Sequence, residues 1–378
     1  MTTSWSMMPI GCWTSCSPMM KRSLMKLRNI LLIVLVILVM VAVWATIFNP
    51  SSSIVNIEPK ENVSVAVTGD VMFARNMEGV LSLDYSPFSG VSDVTSDVDL
   101  LLINFENAAT SSGYALKGDV PLRCNPSYVP LARANNVTVV SLANNHAFDY
   151  GVTGMQDTIS NLKAANITPI GAGNTEDEAH AAVVKDINGR KITILNYMDS
   201  ENFAEYSQEV MPYADGQNPG YSAYDSEDAQ KQISENNDSD LIIAYMHYGN
   251  EYSHSPNDNQ VKISHELIDY GADVVIGSHP HVTQGIEMYN GKPIFYSLGN
   301  FIFDQSNPDT HTAYFVKINL VDDTGECTVY PIYISGYLPQ HMDSESGTSL
   351  LSNLSPQCSQ LEITSNGTGK LSFNLTDS

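Results

Sequence analysis

VVIGSHPH, at residues 274–281, joins an apolar strand directly to two histidines, His279 and His281, that lie one residue apart. In open α/β sheets, ligands bind in the crevice beyond the carboxyl ends of the strands. Neutral imidazole is the commonest protein ligand for a transition metal. The segment therefore predicts a sheet strand with a metal site at its end. The alternative is a turn opened by Pro280 that carries two loop histidines.

The same arrangement, an apolar run of strand length followed by a metal-ligand type of residue, recurs four times upstream. The runs are VSVAVTGD, LLLINFE, VTVVSLANNH and LIIAYMH, and they end at Asp70, Glu106, Asn145 with His146, and His247. Runs of this kind are typical of buried parallel strands. The donors are oxygen and nitrogen without a thiolate. That set suits Mn, Zn or Fe and argues against a structural zinc site built on cysteine.

Strand and helix patterns alternate over residues 63–172, which predicts an α/β domain with a parallel sheet. Two Asn-Gly steps, Asn188-Gly189 and Asn290-Gly291, each stand between apolar runs. Asn-Gly between apolar runs is the strongest short-range signal for a hairpin turn. We therefore expect the second half of the chain to mix antiparallel strands into the sheet.

Six segments together resemble one protein family. They are GDVMFAR (69–75), INFENA (103–108), SLANNHAFDYG (141–151), MHYGNEY (246–252), IGSHPHVTQGIE (276–287) and FYSLGNFIFDQ (295–305). The chain is similar to the CapA/PgsA-type family of poly-γ-glutamate capsule biosynthesis proteins, which in turn resembles the calcineurin-like metallophosphoesterases. The resemblance implies an α/β, metallophosphoesterase-like sandwich of two mixed β-sheets flanked by helices. That domain would span 61–341, and residues 342–378 would form a tail or an edge hairpin.

The resemblance also implies roles for individual residues. Its metal ligands are the strand-end residues Asp70, Glu106, Asn145, His247, His279 and His281. They would hold one or two divalent ions, Mn, Zn or Fe, with Glu106 in the bridging position. Met72 departs from the phosphoesterase pattern, which has a histidine ligand there, and a thioether is a poor ligand for such an ion. One metal position is therefore expected to be weak.

His146 resembles the general acid of the phosphoesterases and is the candidate catalytic residue. A divalent ion would activate water near neutral pH, and His146 could protonate a leaving group. The alternative for His146 is a capping or supporting residue before the next helix. Arg75 and Arg123 are candidates for binding a carboxylate or phosphate through a guanidinium fork. Asp149 and Asp304 are expected to support the site through hydrogen bonds.

The N-terminal part of the chain predicts a membrane anchor. Ile30–Phe48 is an apolar run of 19 residues, long enough to span a bilayer, and it follows a basic segment without acidic residues, 1–29. Positive charge predicts that this segment stays in the cytoplasm and that the domain beyond a linker at 49–60 is extracellular. A cleaved signal peptide is the alternative, but the run exceeds a usual signal core and lacks a small-x-small site.

The chain beyond the apolar run is strongly acidic. It contains all 42 acidic residues but only 14 of the 18 basic residues, a formal charge of about −28. This charge excludes nucleic acid as a partner. It would also repel a polyanionic substrate. Local cations such as Arg75, Lys117 or a bound metal would have to outweigh that field, which physiological salt screens within about 8 Å.

Three classes of function are consistent with these features. The first is a membrane-anchored extracellular capsule-synthesis protein that hydrolyses, transfers or releases an anionic polymer of the poly-γ-glutamate type at a metal site. The second is a non-catalytic polymer-binding factor for assembly or export that serves a membrane synthase. The third is a general surface metallophosphoesterase. Met72 favours the first two over the third, and the ligand set favours chemistry over scaffolding.

Overall fold

The computed structural model describes residues 18–48, 61–83, 85–205, 212–356 and 358–375. The chain divides into two units, Met1–Glu58 and Pro59–Ser378. The predicted linker at 49–60 lies outside the described residues, as does the first part of the predicted cytoplasmic segment, 1–17.

The described part of the first unit is a single helix, α1 (Pro18–Phe48), which covers the predicted anchor. Its apolar side chains between Met25 and Val41 are 47–62% exposed. Across the part of the chain that the structure describes, no helix is long and apolar enough to cross a membrane. The transmembrane prediction is therefore not supported.

The second unit contains two large mixed sheets. In the described residues, the main path of the larger sheet runs from edge to edge through β19 (Glu362–Ile363), β20 (Gly369–Asn374), β17 (Thr324–Ser335), β16 (Thr312–Val321), β1 (Val63–Val71), β2 (Leu100–Phe105), β5 (Val139–Ser141) and β6 (Thr168–Ile170). Off this path, β15 (Asn300–Ile302) pairs with β1, and β18 (Leu338–His341) pairs with β17. β1, β2, β5 and β6 are parallel, whereas β16 runs antiparallel to β1.

The smaller sheet runs through β13 (Ile286–Tyr289), β14 (Lys292–Phe295), β12 (Val274–Ser278), β11 (Leu241–His247), β9 (Arg190–Met198) and β8 (Val183–Ile187). Two short pairs accompany it, β3 (Ala108–Ala109) with β4 (Arg123–Cys124) and β7 (Ala172–Gly173) with β10 (Gly220–Tyr221). Both predicted Asn-Gly hairpins are confirmed, because Ile187 pairs with Arg190 and Tyr289 pairs with Lys292 across them. β9, β11, β12 and β14 are parallel and form the centre of the smaller sheet, whereas the parallel strands of the larger sheet form the half that ends at β6.

Most of the helices cover the outer faces of the two sheets, but the last one buries Leu351 and Leu354 in the core between the sheets. They are α2 (Asn76–Leu81), α3 (Ser92–Thr95), α4 (Val129–Ala134), α5 (Gly151–Ala164), α6 (Glu176–His180), α7 (Ser226–Glu235), α8 (Asp258–Asp269) and α9 (Ser344–Leu354). Short 3₁₀ turns lie at Ser89–Val91, Pro126–Tyr128, Ser200–Glu205 and Pro308–His311. α5 buries Met155, Ile159 and Leu162, which share one helical face. α8 begins with a capping box between Asn257 and Gln260.

The core has three layers because side chains alternate across each strand. On β2, Leu100 and Leu102 point into the core between the two sheets. Leu101 and Ile103 point to the outer layer, where they meet helices such as α5. A third cluster joins the outer face of the smaller sheet to α7 and α8. The predicted sandwich of two mixed sheets with flanking helices is the architecture of the described second unit, and β20 and β19 extend the larger sheet at its edge.

Candidate metal centre and catalytic site

The six residues predicted as metal ligands come together at the carboxyl ends of the parallel strands, and all six are buried. Asp70 is the last residue but one of β1, Glu106 follows β2 and Asn145 follows β5 in the larger sheet. The facing strands of the smaller sheet, β11 and β12, lead to the three histidines, His247, His279 and His281. The backbone at His279 and His281 has φ values of 102° and 60°, a conformation that non-glycine residues rarely adopt and that clusters at functional sites.

Asp70, Glu106 and His281 form a buried group whose ligand atoms lie within 4.8 Å of one another. His281 Nδ1 is 3.2 Å from Asp70 Oδ2, and His281 Nε2 is 3.8 Å from Glu106 Oε1. Neither carboxylate oxygen of Glu106 has a hydrogen-bond donor among the described residues. Buried carboxylates are normally hydrogen-bonded or bound to a metal, so this donor set fits a divalent cation.

The pKa shifts of Asp70 and Glu106 also favour a bound divalent cation. Burial, followed by the nearby charge of Asp70, raises the pKa of Glu106 well above its ordinary value. Burial also acts to raise the pKa of Asp70, but hydrogen bonding to His281 and the charge of His281 outweigh it, and the net shift is downward. Two buried carboxylates this close repel each other when both are ionised. A divalent cation would remove that repulsion.

Asn145, His247 and His279 form a second group of converging donor atoms. His247 Nε2 lies 3.1 Å from Asn145 Oδ1 and 3.0 Å from His279 Nδ1. Burial, then the charges of the neighbouring histidines, lowers the pKa of His279 to about 3 and that of His247 well below its ordinary value. Both imidazoles are therefore neutral at physiological pH, as a metal ligand requires. The structure thus brings these three predicted ligands together at a second position beside the first group.

Residues outside the predicted set orient these ligands. Asn300 Oδ1 lies 2.9 Å from His281 Nδ1, Ser278 Oγ lies 3.1 Å from His247 Nδ1, and Asn104 donates to Asp70 Oδ1 at 2.8 Å. Such partners fix the tautomer and ring orientation of a ligating histidine. Sequence reasoning missed them, although Asn300 lies in FYSLGNFIFDQ and Asn104 precedes Glu106 by two residues.

Met72 is fully buried, and its sulfur accepts a hydrogen bond from the backbone N–H of Ala74 at 3.0 Å. The sulfur is therefore engaged with the local backbone. The group of Asp70, Glu106 and His281 nevertheless assembles without a histidine at position 72. The expectation of one weak metal position stays a prediction. The carboxylates of Asp70 and Glu106 lie where that metal would bind.

His146 lies between the candidate metal centre and solvent. Its Nδ1 is 2.6 Å from Asp149 Oδ2, and its Nε2 is 4.0 Å from Glu106 Oε1 and 3.3 Å from Lys117 Nζ. Burial lowers the pKa of His146, and the charge of Asp149 partly opposes that effect. Asp149 therefore supports His146, as predicted for a residue that acts through hydrogen bonds. Nδ1 can donate to Asp149 while Nε2 faces the cavity.

The two predicted substrate-binding arginines are placed differently. Arg75 lines the cavity beside His146, pairs with Asp304, and lies 5.6 Å above the ring of Phe303. The guanidinium of Arg123 stacks 4.5 Å over the ring of Tyr150 and is not part of the described cavity wall. Asp304 also accepts from the backbone N–H of Asn76 at 3.1 Å, so it supports Arg75 rather than a metal ligand.

Asn300 gives a testable consequence of this geometry. We expect Asn300→Ala to weaken Zn binding by about 10- to 100-fold, because His281 loses the acceptor that directs Nε2 toward Glu106. Asn300→Asp should retain more of the affinity, since a carboxylate also accepts from Nδ1–H. Isothermal titration with Zn measures the effect, and Asn174→Ala, at an exposed asparagine, is the control. Equal affinities for Asn300→Ala and the control would contradict the assignment.

A protein family already known from other sequences matches the part of the chain that contains these residues. The family described as "Bacterial capsule synthesis protein PGA_cap" matches residues 64–305, which include all six predicted ligands and His146. The chain belongs to this family. The family resemblance stated from the six sequence segments is therefore confirmed.

Two Bacillus proteins are similar to this chain over most of its length. "PGA biosynthesis protein CapA" of Bacillus subtilis (strain 168) is 34% identical over 293 residues, which cover 75% of each chain. "Capsule biosynthesis protein CapA" of Bacillus anthracis is 30% identical over 328 residues, 82% of this chain and 78% of that protein. The crystal structure of TT1561 of Thermus thermophilus aligns with 68% of this chain and 94% of its own at 11% identity, with a TM-score of 0.40.

Proposed function

We propose that this PGA_cap family member acts in capsule synthesis as a metal-dependent hydrolase or transferase on an anionic polymer of the poly-γ-glutamate type. The observation that carries the proposal is Glu106, a fully buried carboxylate with no hydrogen-bond donor among the described residues. It lies within 4 Å of two histidines, His146 and His281. A binding surface alone does not require such a group. The names of the two Bacillus relatives support the polymer class.

The residues around the metal centre would have separate roles in the reaction. A bound divalent ion supplies Lewis-acid polarisation and activated water. Asp70, Glu106 and His281 would hold one ion, and Asn145, His247 and His279 would hold a second. His146, whose Nδ1–H would donate to Asp149, would take up at Nε2 the proton released by the attacking water and pass it to the leaving group. Burial of the whole cluster keeps bulk water away from these charges, which strengthens their interactions.

The proposal is tested with the purified full chain loaded with Mn or Zn. We expect it to cleave or transfer chains of γ-linked glutamate, with a new chain end detected by mass spectrometry. Removal of metal by chelation should abolish the reaction, and added metal should restore it. Chelation that leaves the rate unchanged would contradict a metal-dependent reaction.

We also propose an extracellular location at the membrane, with membrane synthase or export subunits as partners. The support is sequence alone, namely basic residues at 21–28 ahead of the apolar run Ile30–Phe48. If protease is added to intact protoplasts, residues beyond Glu58 should be digested, as followed with an antibody to the C-terminus. A cytoplasmic marker protein must survive the same treatment. Digestion only after membrane rupture would contradict the location.

A further inference from the structure

Two cavities adjoin each other beside the candidate metal centre. The inner cavity, about 550 Å³, has Lys117, His146 and His281 in its wall. The outer cavity, about 410 Å³, shares Arg75, Tyr252 and Gln305 with it. Each volume alone suits a small ligand. The shared residues place the two cavities side by side, and that arrangement suits an extended ligand better than a compact one.

Lys117 is held at the inner end of this groove by the residue that also positions His146. The backbone N–H of Leu116 donates to the carbonyl oxygen of Asp149 at 2.7 Å, and the N–H of Leu122 donates to Asp149 Oδ2 at 2.6 Å. The loop between them places Lys117 Nζ 3.3 Å from His146 Nε2. The lysine is only 6% exposed. This position beside the candidate acid puts a charged group in the wall of the inner cavity, where a ligand can contact it.

Arg75 stands where the two cavities meet. Its guanidinium is fixed by the ion pair with Asp304 and by the ring of Phe303 below it. Its backbone has φ of 53°, which a non-glycine residue adopts at a cost. The Arg75 side chain is 35% exposed, so it faces the groove while held from behind. An arginine held in this way is pre-organised to bind an anionic group.

Two acidic residues, Asp119 and Glu251, also line the inner cavity. Both are exposed, and solvent and salt screen exposed charges strongly. Lys117 is buried, where a charge acts through a lower effective dielectric constant. The carboxylates of Asp70 and Glu106 are buried there too, and a divalent cation held by them would offset their charges. Lys117 lines the cavity wall, so it is a buried positive charge that an anionic ligand in the cavity can reach.

We propose that the two cavities form one groove for an extended polyanionic chain, with Lys117 binding a carboxylate beside the metal centre and Arg75 binding the anionic group of a neighbouring unit. The identity of the chain as a glutamate polymer rests on the proposed function. Binding of a polyanion in the groove, with Lys117 at the inner end and Arg75 next to it, does not require the protein to be an enzyme.

The test is binding of fluorescent γ-linked glutamate oligomers of two to eight units to the metal-loaded full chain. Affinity should rise with length until the groove is filled. Lys117→Gln should weaken binding at every length by about 10- to 100-fold, as expected for loss of a charged hydrogen bond. Arg75→Gln should leave the shortest oligomer almost unchanged and remove the gain with length. Lys231→Gln, at an exposed lysine on α7 outside the groove, is the matched control.

Further arms separate the possible outcomes. Lys117→Arg should keep most of the affinity, and oligomers with amidated side chains should bind at least 10-fold more weakly. Length-independent binding, or equal affinities for Lys117→Gln and Lys231→Gln, would overturn the inference, as would binding of inorganic phosphate without binding of oligomers. If the wild type turns over polymer while Lys117→Gln and Arg75→Gln bind oligomers as tightly as the wild type does, the groove inference is wrong and the proposed function stands. Length-dependent binding that requires both cations, without turnover, supports the groove and contradicts the enzyme.

Discussion

Replacing His146 with alanine should lower the rate of the metal-loaded protein on its glutamate polymer by a factor of about 100 or more. A positioned acid–base group contributes on the order of 10²- to 10⁴-fold to a rate. His146 is held by Asp149 at 2.6 Å and presents Nε2 to the cavity, 4.0 Å from Glu106 Oε1. Its removal takes away the proton donor without removing a predicted metal ligand. Metal content measured by elemental analysis should therefore stay unchanged.

A matched control exists elsewhere in the fold. His341 also pairs with a carboxylate, Asp93, at 2.8 Å, but the pair is on the surface. His341→Ala should leave the rate within about twofold of the wild type. In cells, capsule formation should follow the rate. If His146→Ala and His279→Ala both preserve capsule formation while deletion of the domain abolishes it, the enzyme assignment fails and a non-catalytic platform remains.

Metal should stabilise the folded protein strongly, and the stabilisation should depend on Glu106. A ligand present at 100 times its dissociation constant stabilises the native state by about 2.7 kcal/mol. Thermal unfolding with and without Mn or Zn measures this effect. Glu106→Gln keeps the shape of the side chain but removes its charge, so the metal-dependent gain should be lost. Without metal, the same substitution should leave stability equal or higher, because it removes repulsion with Asp70.

The free energy of unfolding of the metal-free protein should change with pH in a defined direction because of Glu106. Burial and Asp70 raise the pKa of Glu106 above its unfolded value, so the native state binds this proton more tightly than the unfolded state. The free energy of unfolding should therefore fall as pH rises from the ordinary glutamate pKa through the raised one. Glu106→Gln should lack that component, as measured by urea unfolding across pH. Identical pH profiles for the two metal-free proteins would contradict the electrostatic account of Glu106.

The strand-end pattern predicted much of the site because the physics behind it is local. A buried parallel strand needs a continuous apolar run, so a polar residue such as Asp70 or His247 at its end is conspicuous in the sequence. Parallel strands then bring those ends to one edge of the sheet without further information. The same reasoning located the two Asn-Gly hairpins, since that step favours the required turn.

Other parts of the site depend on tertiary packing and left no local signal. Asn300 reaches His281 only because β15 lies beside β1. The position of Lys117 depends on a loop anchored to Asp149 and has no periodicity in sequence. Arg123 was predicted to bind substrate, but it stacks on Tyr150, a contact between separate segments of the chain. Spacing along the chain does not determine such contacts.

The most direct test of the metal centre is a crystal structure of the full chain grown with Zn, with diffraction recorded on both sides of the Zn absorption edge. We predict an anomalous peak for a Zn ion bound by Asp70, Glu106 and His281, with a Zn–N distance of about 2.0–2.1 Å and Zn–O distances of about 2.0–2.2 Å. A second peak is expected among Asn145, His247 and His279. A Zn-containing crystal with no anomalous peak at either group would contradict the account.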